Sequence, residues 1–134
     1  MVPRQRTVSN LIVRVTLRTL HEIGGWVVIA SNGLVGLWAL AAHRFEQVRH
    51  KLLWIATGAA QILLLLQVLL GVFLFAAQDI QVEQFHMFYG FVAMMAVGLI
   101  YSYRHQLHER LYLLYGGGGL FLMGLGLRAA FLQG

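Results

Sequence analysis

Residues 52–76 read LLWIATGAAQILLLLQVLLGVFLFA, a run of 25 residues without a single Asp, Glu, Lys or Arg. An α-helix needs about 20 mainly apolar residues to cross the hydrocarbon core of a bilayer. This run therefore predicts a transmembrane helix. Three further stretches of the 134-residue chain meet the same criterion, namely residues 22–42, 85–103 and 111–132. The chain is 59% hydrophobic and 11% charged, which excludes the soluble classes of protein.

The connections between the four apolar stretches are short, at residues 43–51, 77–84 and 104–110. Short connections make consecutive helices antiparallel neighbours. We therefore expect residues 21–134 to form an all-α membrane protein, an up-down bundle of four transmembrane helices. Cysteine is absent, which excludes disulfides, thiolate metal sites and iron–sulfur clusters within this chain.

A basic segment, residues 1–20, precedes the first span. Arg14 and Arg18 are one helical turn apart among apolar residues, a spacing that suits a helix lying along the membrane interface. Alternatively, residues 11–20 extend the first span out of the bilayer. The sequence favours neither arrangement over the other.

The charge pattern bears on orientation. The net charge is +5, and in a membrane protein such charge reports topology and lipid contact, so we expect no nucleic-acid partner. Two loops are basic, and the residues responsible are Arg44, Arg49, Lys51, Arg104 and Arg110. The loop between the second and third spans carries Asp79 and Glu83 and no Lys or Arg. The loops therefore place both termini outside, although the N-terminal arginines and Arg128 favour the opposite orientation.

His21 and His86 head the first and third spans. These spans run parallel in an up-down bundle, so both imidazoles lie at the same depth on the same side of the membrane. Two such rings can ligate one haem b between them. Gly25 and Gly90 each follow a candidate ligand by four residues and would let the flat macrocycle approach the helices. The alternative is a pair of interfacial histidines satisfied by headgroups or loop carbonyls.

Arg128 lies near the end of the fourth span, which returns to the His21 and His86 side of the bundle. Its guanidinium can meet a haem propionate. It can equally reach lipid phosphates, or Asp79 and Glu83. Arg18, about one turn before His21, has the same two interpretations.

Other polar and small residues have simpler interpretations. Glu22 can orient the His21 ring as an acceptor. Gln61 and Gln67 lie mid-span and should face the bundle, bonding a neighbouring helix or lining a cofactor or quinone pocket. Gly116–Gly119 indicate close helix packing more than a cofactor site. The remaining histidines lie in basic loops, where solvated side chains are ordinary, and they are His43, His50, His105 and His108.

The motifs Gln67-Val68-Leu69-Leu70-Gly71-Val72 and Phe85-His86-Met87-Phe88-Tyr89-Gly90, with a first span headed by His21 and ending at His43-Arg44, resemble one half of the haem A synthase family. Members with eight helices consist of two four-helix halves. The resemblance implies that His21 and His86 are axial ligands near the outer face, and we expect a bacterial plasma membrane. This chain lacks the cysteine pair of many bacterial members and has half the helices. Either two chains pair to rebuild a whole enzyme, or the half has another role.

The sequence thus leads to two hypotheses. The first is an integral b-type cytochrome with one haem per chain that transfers single electrons, with quinone as a partner, or that processes haem as a dimer. The second is a cofactor-free accessory or anchor subunit of a larger membrane complex, in which the glycines and glutamines serve helix packing.

Overall fold

The computed structural model describes residues 4–78 and 84–132. Within these ranges the chain is helical and contains no strand. Four long helices follow one another: α1 (Arg4–Arg44), α2 (Lys51–Gln78), α3 (Gln84–Ser102) and α4 (Leu111–Phe131). Short 3-10 turns, Glu46–Val48 and His108–Arg110, precede α2 and α4. All four long helices are long and apolar enough to cross a membrane, which confirms the prediction of four apolar spanning-length helices.

Contacts between the helices show their directions. Asn32 and Gly36 of α1 lie against Gly119, whereas Ile29 lies against Gly126, so α1 and α4 are antiparallel. His86 reaches Ala129 while Ile100 lies against Gly118, so α3 and α4 are antiparallel as well. The parallel arrangement of α1 and α3 follows.

The helices form a ring in which α1 contacts α2 and α4, and α3 contacts α4. The contact between α2 and α3 is the sparse one. Most of the core therefore lies along α1 and α4. A main cluster of apolar side chains joins all four helices, and its buried members are Val28, Leu64, Ala93, Ala96, Val97, Ile100, Leu122 and Leu125.

α1 and α4 meet through glycine. A Cβ atom built at Gly119 would lie 2.7 Å from the Asn32 carbonyl oxygen and 2.8 Å from Gly36 Cα. One at Gly36 would lie 2.9 Å from the Leu120 backbone nitrogen. Only glycine permits this approach of two backbones, so the packing interpretation of the glycines in Gly116–Gly119 holds for Gly119.

One buried amide links α1 to α2. The Asn32 side chain is 1% exposed, and its Nδ2 donates to the carbonyl oxygens of Val28 at 2.9 Å and Ala60 at 3.3 Å. A buried polar group away from water needs such partners. The bond to Ala60 fixes the register between α1 and α2 at mid-helix.

The connection between α1 and α2 is tied back onto the bundle. Arg49 Nε donates to the Ala42 carbonyl oxygen at 2.6 Å, which satisfies one of the carbonyls left open at the end of α1. Trp38 Nε1 donates to the Val48 carbonyl oxygen at 2.8 Å. Trp54 of α2 stacks on Tyr112 of α4 with 5.2 Å between ring centroids. This end of the bundle is closed by side chains.

α1 is longer than the first apolar stretch. It begins at Arg4 and continues through residue 20 without a break, so residues 4–20 of the basic segment and the first span are one helix. The acidic residues Asp79 and Glu83, on which part of the orientation argument depends, lie outside the described residues.

Candidate functional site

His21 of α1 and His86 of α3 lie side by side at the end of the bundle where α2 finishes. Their ring centroids are 6.1 Å apart, and the ring planes are inclined by 76°. Both residues are half-buried. The up-down connection accounts for this meeting, since it brings the starts of α1's apolar part and of α3 to one level.

The partner of His86 Nδ1 is a backbone carbonyl. Nδ1 lies 2.8 Å from the Ala129 carbonyl oxygen of α4. A carbonyl oxygen only accepts, so Nδ1 carries the proton and donates it. In the neutral ring Nε2 is then the nitrogen with the lone pair.

His21 has a different kind of partner, the side-chain amide of Gln67 on α2. Gln67 Nε2 lies 3.0 Å from His21 Nδ1, and the same nitrogen donates to the backbone carbonyl of His21. An amide nitrogen has two hydrogens and only donates. His21 Nδ1 therefore accepts, and the proton of the neutral ring is on Nε2.

Two glycines make room for this arrangement. A Cβ atom at Gly71 would lie 2.9 Å from His21 Cε1, and one at Gly24 would lie 2.5 Å from Gln67 Oε1. The predicted site glycine Gly25 faces Gln67 Nε2 at 3.4 Å from its Cβ position. The other predicted one, Gly90, has open space beside it. Gly24 and Gly71 thus fit around the His21–Gln67 pair, a role that the sequence analysis did not assign.

A cavity of about 650 Å³ adjoins the two histidines. It is bounded by residues of all four helices, among them Gly25, Gly90, Gly71 and Tyr89. Most of its lining is apolar, and its charged lining residues are Arg18 and Glu22. Those two side chains are exposed and form an ion pair, with 3.6 Å between Nε and Oε1. The volume is within the range of about 300–1,000 Å³ typical of sites for small molecules and cofactors.

Arg128, the predicted propionate partner, does not line this cavity. It is exposed, and its guanidinium carbon lies 5.9 Å from the centroid of the Tyr89 ring. Tyr89 itself lines the cavity. Arg128 therefore touches the wall of the cavity from outside, and a cofactor contact of this residue remains a prediction.

The four other histidines lie elsewhere and are exposed. His50 Nδ1 accepts a hydrogen bond from the Leu52 backbone N–H at 3.0 Å and so caps the start of α2. Among the residues that the structure describes, no three His, Asp or Glu side chains gather closely enough to hold a metal ion. A metal held between His21 and His86 would therefore need a ligand that supplies the remaining donor atoms.

Searches of this chain against protein-family models, curated proteins and solved structures gave no match.

Proposed function

We propose that this chain is an integral membrane haem protein in which His21 and His86 ligate one haem b, and that it transfers single electrons. The observation that carries the proposal is the pair of imidazoles, 6.1 Å apart between centroids, beside a cavity of about 650 Å³. Bound there, a haem would supply an iron that accepts and releases one electron at a time.

The spacing of the rings suits one shared metal. Two metal–imidazole bonds of about 2 Å place the ligating nitrogens about 4 Å apart. A five-membered ring with bonds of about 1.33 Å has a radius of about 1.1 Å, so two rings facing one metal have centroids roughly 6.3 Å apart. The observed centroid distance of 6.1 Å is close to this value.

The hydrogen bond of His86 also supports ligation. A histidine ligand normally donates its second ring nitrogen to a carbonyl or carboxylate, which fixes the ring and strengthens the metal-binding nitrogen. His86 Nδ1 has such a partner in Ala129. The bond comes from α4, so the ring is held by a helix other than its own.

The surroundings suit a large flat group with charged edges. Apolar side chains line most of the cavity. Gly90 has open space beside it on α3, and Gly25 of α1 lines the cavity next to Gln67. Arg18, three residues before His21 in α1, places a cation among the residues that line the cavity. Arg18 thus takes over from Arg128 as the first candidate for a propionate.

Membrane insertion is part of the proposal. The four helices have the length and the apolar character to cross a bilayer. On the described surface 34 large apolar side chains are exposed, and an apolar surface of this extent is unfavourable in water. A b-type cytochrome in this setting can exchange electrons with a quinone. The resemblance to half of a haem A synthase adds a dimeric, haem-processing form of the same proposal.

The test is a reduced-minus-oxidised visible spectrum of the detergent-purified chain, with pyridine extraction to count haem. We expect a low-spin spectrum with about one haem per chain, lost in both His21→Ala and His86→Ala. The matched control is His43→Ala, which removes an exposed histidine from the other end of α1. A featureless spectrum that persists after haem is added would overturn the proposal.

One observation favours the second candidate, a cofactor-free accessory subunit. His21 Nδ1 and His86 Nδ1 both have protein partners, Gln67 and Ala129, so the pair is compatible with a structural role. In that case His21→Ala would change the stability of the bundle and the purified chain would be colourless. The spectrum therefore separates the two candidates.

A further inference from the structure

As neutral rings, the two histidines have complementary tautomers. His86 Nδ1 donates to a carbonyl, which leaves the lone pair on Nε2. His21 Nδ1 accepts from the Gln67 amide, which leaves the proton on Nε2. At Nε2, His21 is thus a donor and His86 is an acceptor. An iron ligated by both rings would need a lone pair on both Nε2 atoms.

We propose that Gln67 is a positioning residue that sets the tautomer of His21, and that its amide turns over when haem is bound. This inference rests on the proposed function. In the structure, Gln67 Nε2 donates to His21 Nδ1. For His21 to serve as a ligand through Nε2, Gln67 Oε1 would instead accept from Nδ1–H.

The exchange is balanced. One N–H bond breaks at His21 Nε2 and one forms at Nδ1, so the charge of the ring does not change. The Nε2 lone pair would then be available to a haem iron. The amide needs a rotation about its last side-chain torsion, which is a soft one, and it gives up the hydrogen bond from Nε2 to the His21 carbonyl oxygen.

The structure provides the space for this rotation. Gln67 Oε1 lies beside Gly24, and a Cβ atom built at Gly24 would be 2.5 Å from that oxygen. Gly71, one turn after Gln67 on α2, leaves the room beside the His21 ring. The half-buried setting of Gln67 keeps its hydrogen bond to His21 from being replaced freely by water.

The first measurement needs no haem. In full-length protein with ¹⁵N-labelled histidine, the ring nitrogen shifts report which nitrogen carries the proton. We expect Nε2–H for His21 and Nδ1–H for His86 in the haem-free chain. In Gln67→Glu the carboxylate only accepts, so His21 should change to Nδ1–H. An Nδ1–H signal for His21 in the unchanged chain would overturn the proposal.

The second measurement is the midpoint potential of the haem-loaded chain. A carboxylate at residue 67 attracts the Nδ1 proton and makes Nε2 a stronger donor, so Gln67→Glu should lower the potential. Gln67→Leu removes the acceptor and should raise it. The matched control is Gln61→Leu, which removes a glutamine from the same helix that does not line the cavity and should leave the potential unchanged.

Gly24→Ala offers a variant that keeps every polar group. Its methyl group would displace the Gln67 amide from its place, so we expect the shift in His21 tautomer population and in potential to resemble that of Gln67→Leu. Equal potentials in the unchanged chain and both Gln67 variants would overturn the role of Gln67 and leave haem ligation standing. Failure of the unchanged chain to take up haem would overturn the proposed function instead.

Discussion

Glycine has different roles at two contacts of α1. One is the contact with α4, and the other is the His21–Gln67 contact with α2. In the first, a Cβ atom at Gly119 or Gly36 would collide with the backbone of the other helix. In the second, a Cβ atom at Gly71 or Gly24 would collide with the far end of a polar side chain. Backbones cannot move aside, whereas a side chain can. The same change from glycine to alanine therefore pushes two helix backbones apart at one contact and displaces a polar side chain at the other.

The largest effect is expected at the α1–α4 contact. Gly119→Ala places a methyl group against the Asn32 carbonyl and Gly36 Cα, and overpacking of this kind destabilises by about 1–3 kcal/mol. Denaturant unfolding in detergent, followed by circular dichroism, measures it. Gly117→Ala is the control on the same helix, because nothing lies within 4 Å of its Cβ position. Equal stability of the two variants would mean that α1 and α4 do not approach as closely as described.

For Gly71→Ala we expect a smaller loss of stability than for Gly119→Ala, together with weaker haem binding. The methyl group of Gly71→Ala would lie 2.9 Å from His21 Cε1 and would turn the ring away from His86. We expect at least a tenfold weaker haem affinity in a titration, since about 1.4 kcal/mol of misalignment is enough for that. Gly58→Ala has open space on the same helix and serves as the control. Unchanged haem affinity in Gly71→Ala would mean that Gly71 does not contribute to haem binding.

At Gly90 we expect loss of binding with little loss of stability. No atom lies within 4 Å of its Cβ position, yet the residue lines the cavity. Gly90→Phe should therefore fill space that the haem needs while the bundle stays folded. Gly98→Phe on the same helix, also beside open space but away from the cavity, should bind haem normally. A Gly90→Phe variant that still takes up one haem per chain would place the haem elsewhere.

The smallest effect distinguishes the two arginines. Arg18 lines the cavity and Arg128 does not, so Arg18→Gln should shift the haem midpoint potential downward through loss of a nearby cation. Arg128→Gln should shift it less. Both side chains are exposed, so solvent screens their charges and the shifts are small. A larger shift in Arg128→Gln would restore the original assignment of Arg128 to a propionate.

The fold was predictable because apolar length and short loops decide it. The runs that became α2, α3 and α4 are bounded by polar residues, and the loops permit one arrangement of neighbours. That arrangement brings His21 and His86 to one level, and the rotation of α1 and α3 about their axes brings the two rings together. The start of α1 was less predictable, since the basic residues before residue 20 have ordinary helix propensity and no residue there ends a helix.

The details of the site were harder to predict for a physical reason. α2 is apolar on nearly every side, so its sequence does not reveal which face turns inward. Gln67 was expected to face the bundle, but its partner depends on the rotation of α2 about its axis. The same uncertainty applies to α4, where a rotation decides whether Arg128 enters the cavity or lies outside it.

The unbroken length of α1 has a mechanical consequence. At 1.5 Å per residue the helix is roughly 60 Å long, and its close crossing with α4 at Gly36 divides it into unequal arms. From this crossing, His21 lies about 22 Å away and Arg4 about 48 Å away along the same rod. Ile29 packs against Gly126 and His21 is hydrogen-bonded by Gln67, so the packed part of α1 extends from the crossing as far as His21. Residues 7–16 are exposed, so about 15 Å of the same helix continues beyond the packed part, and a load on these turns enters the bundle at His21.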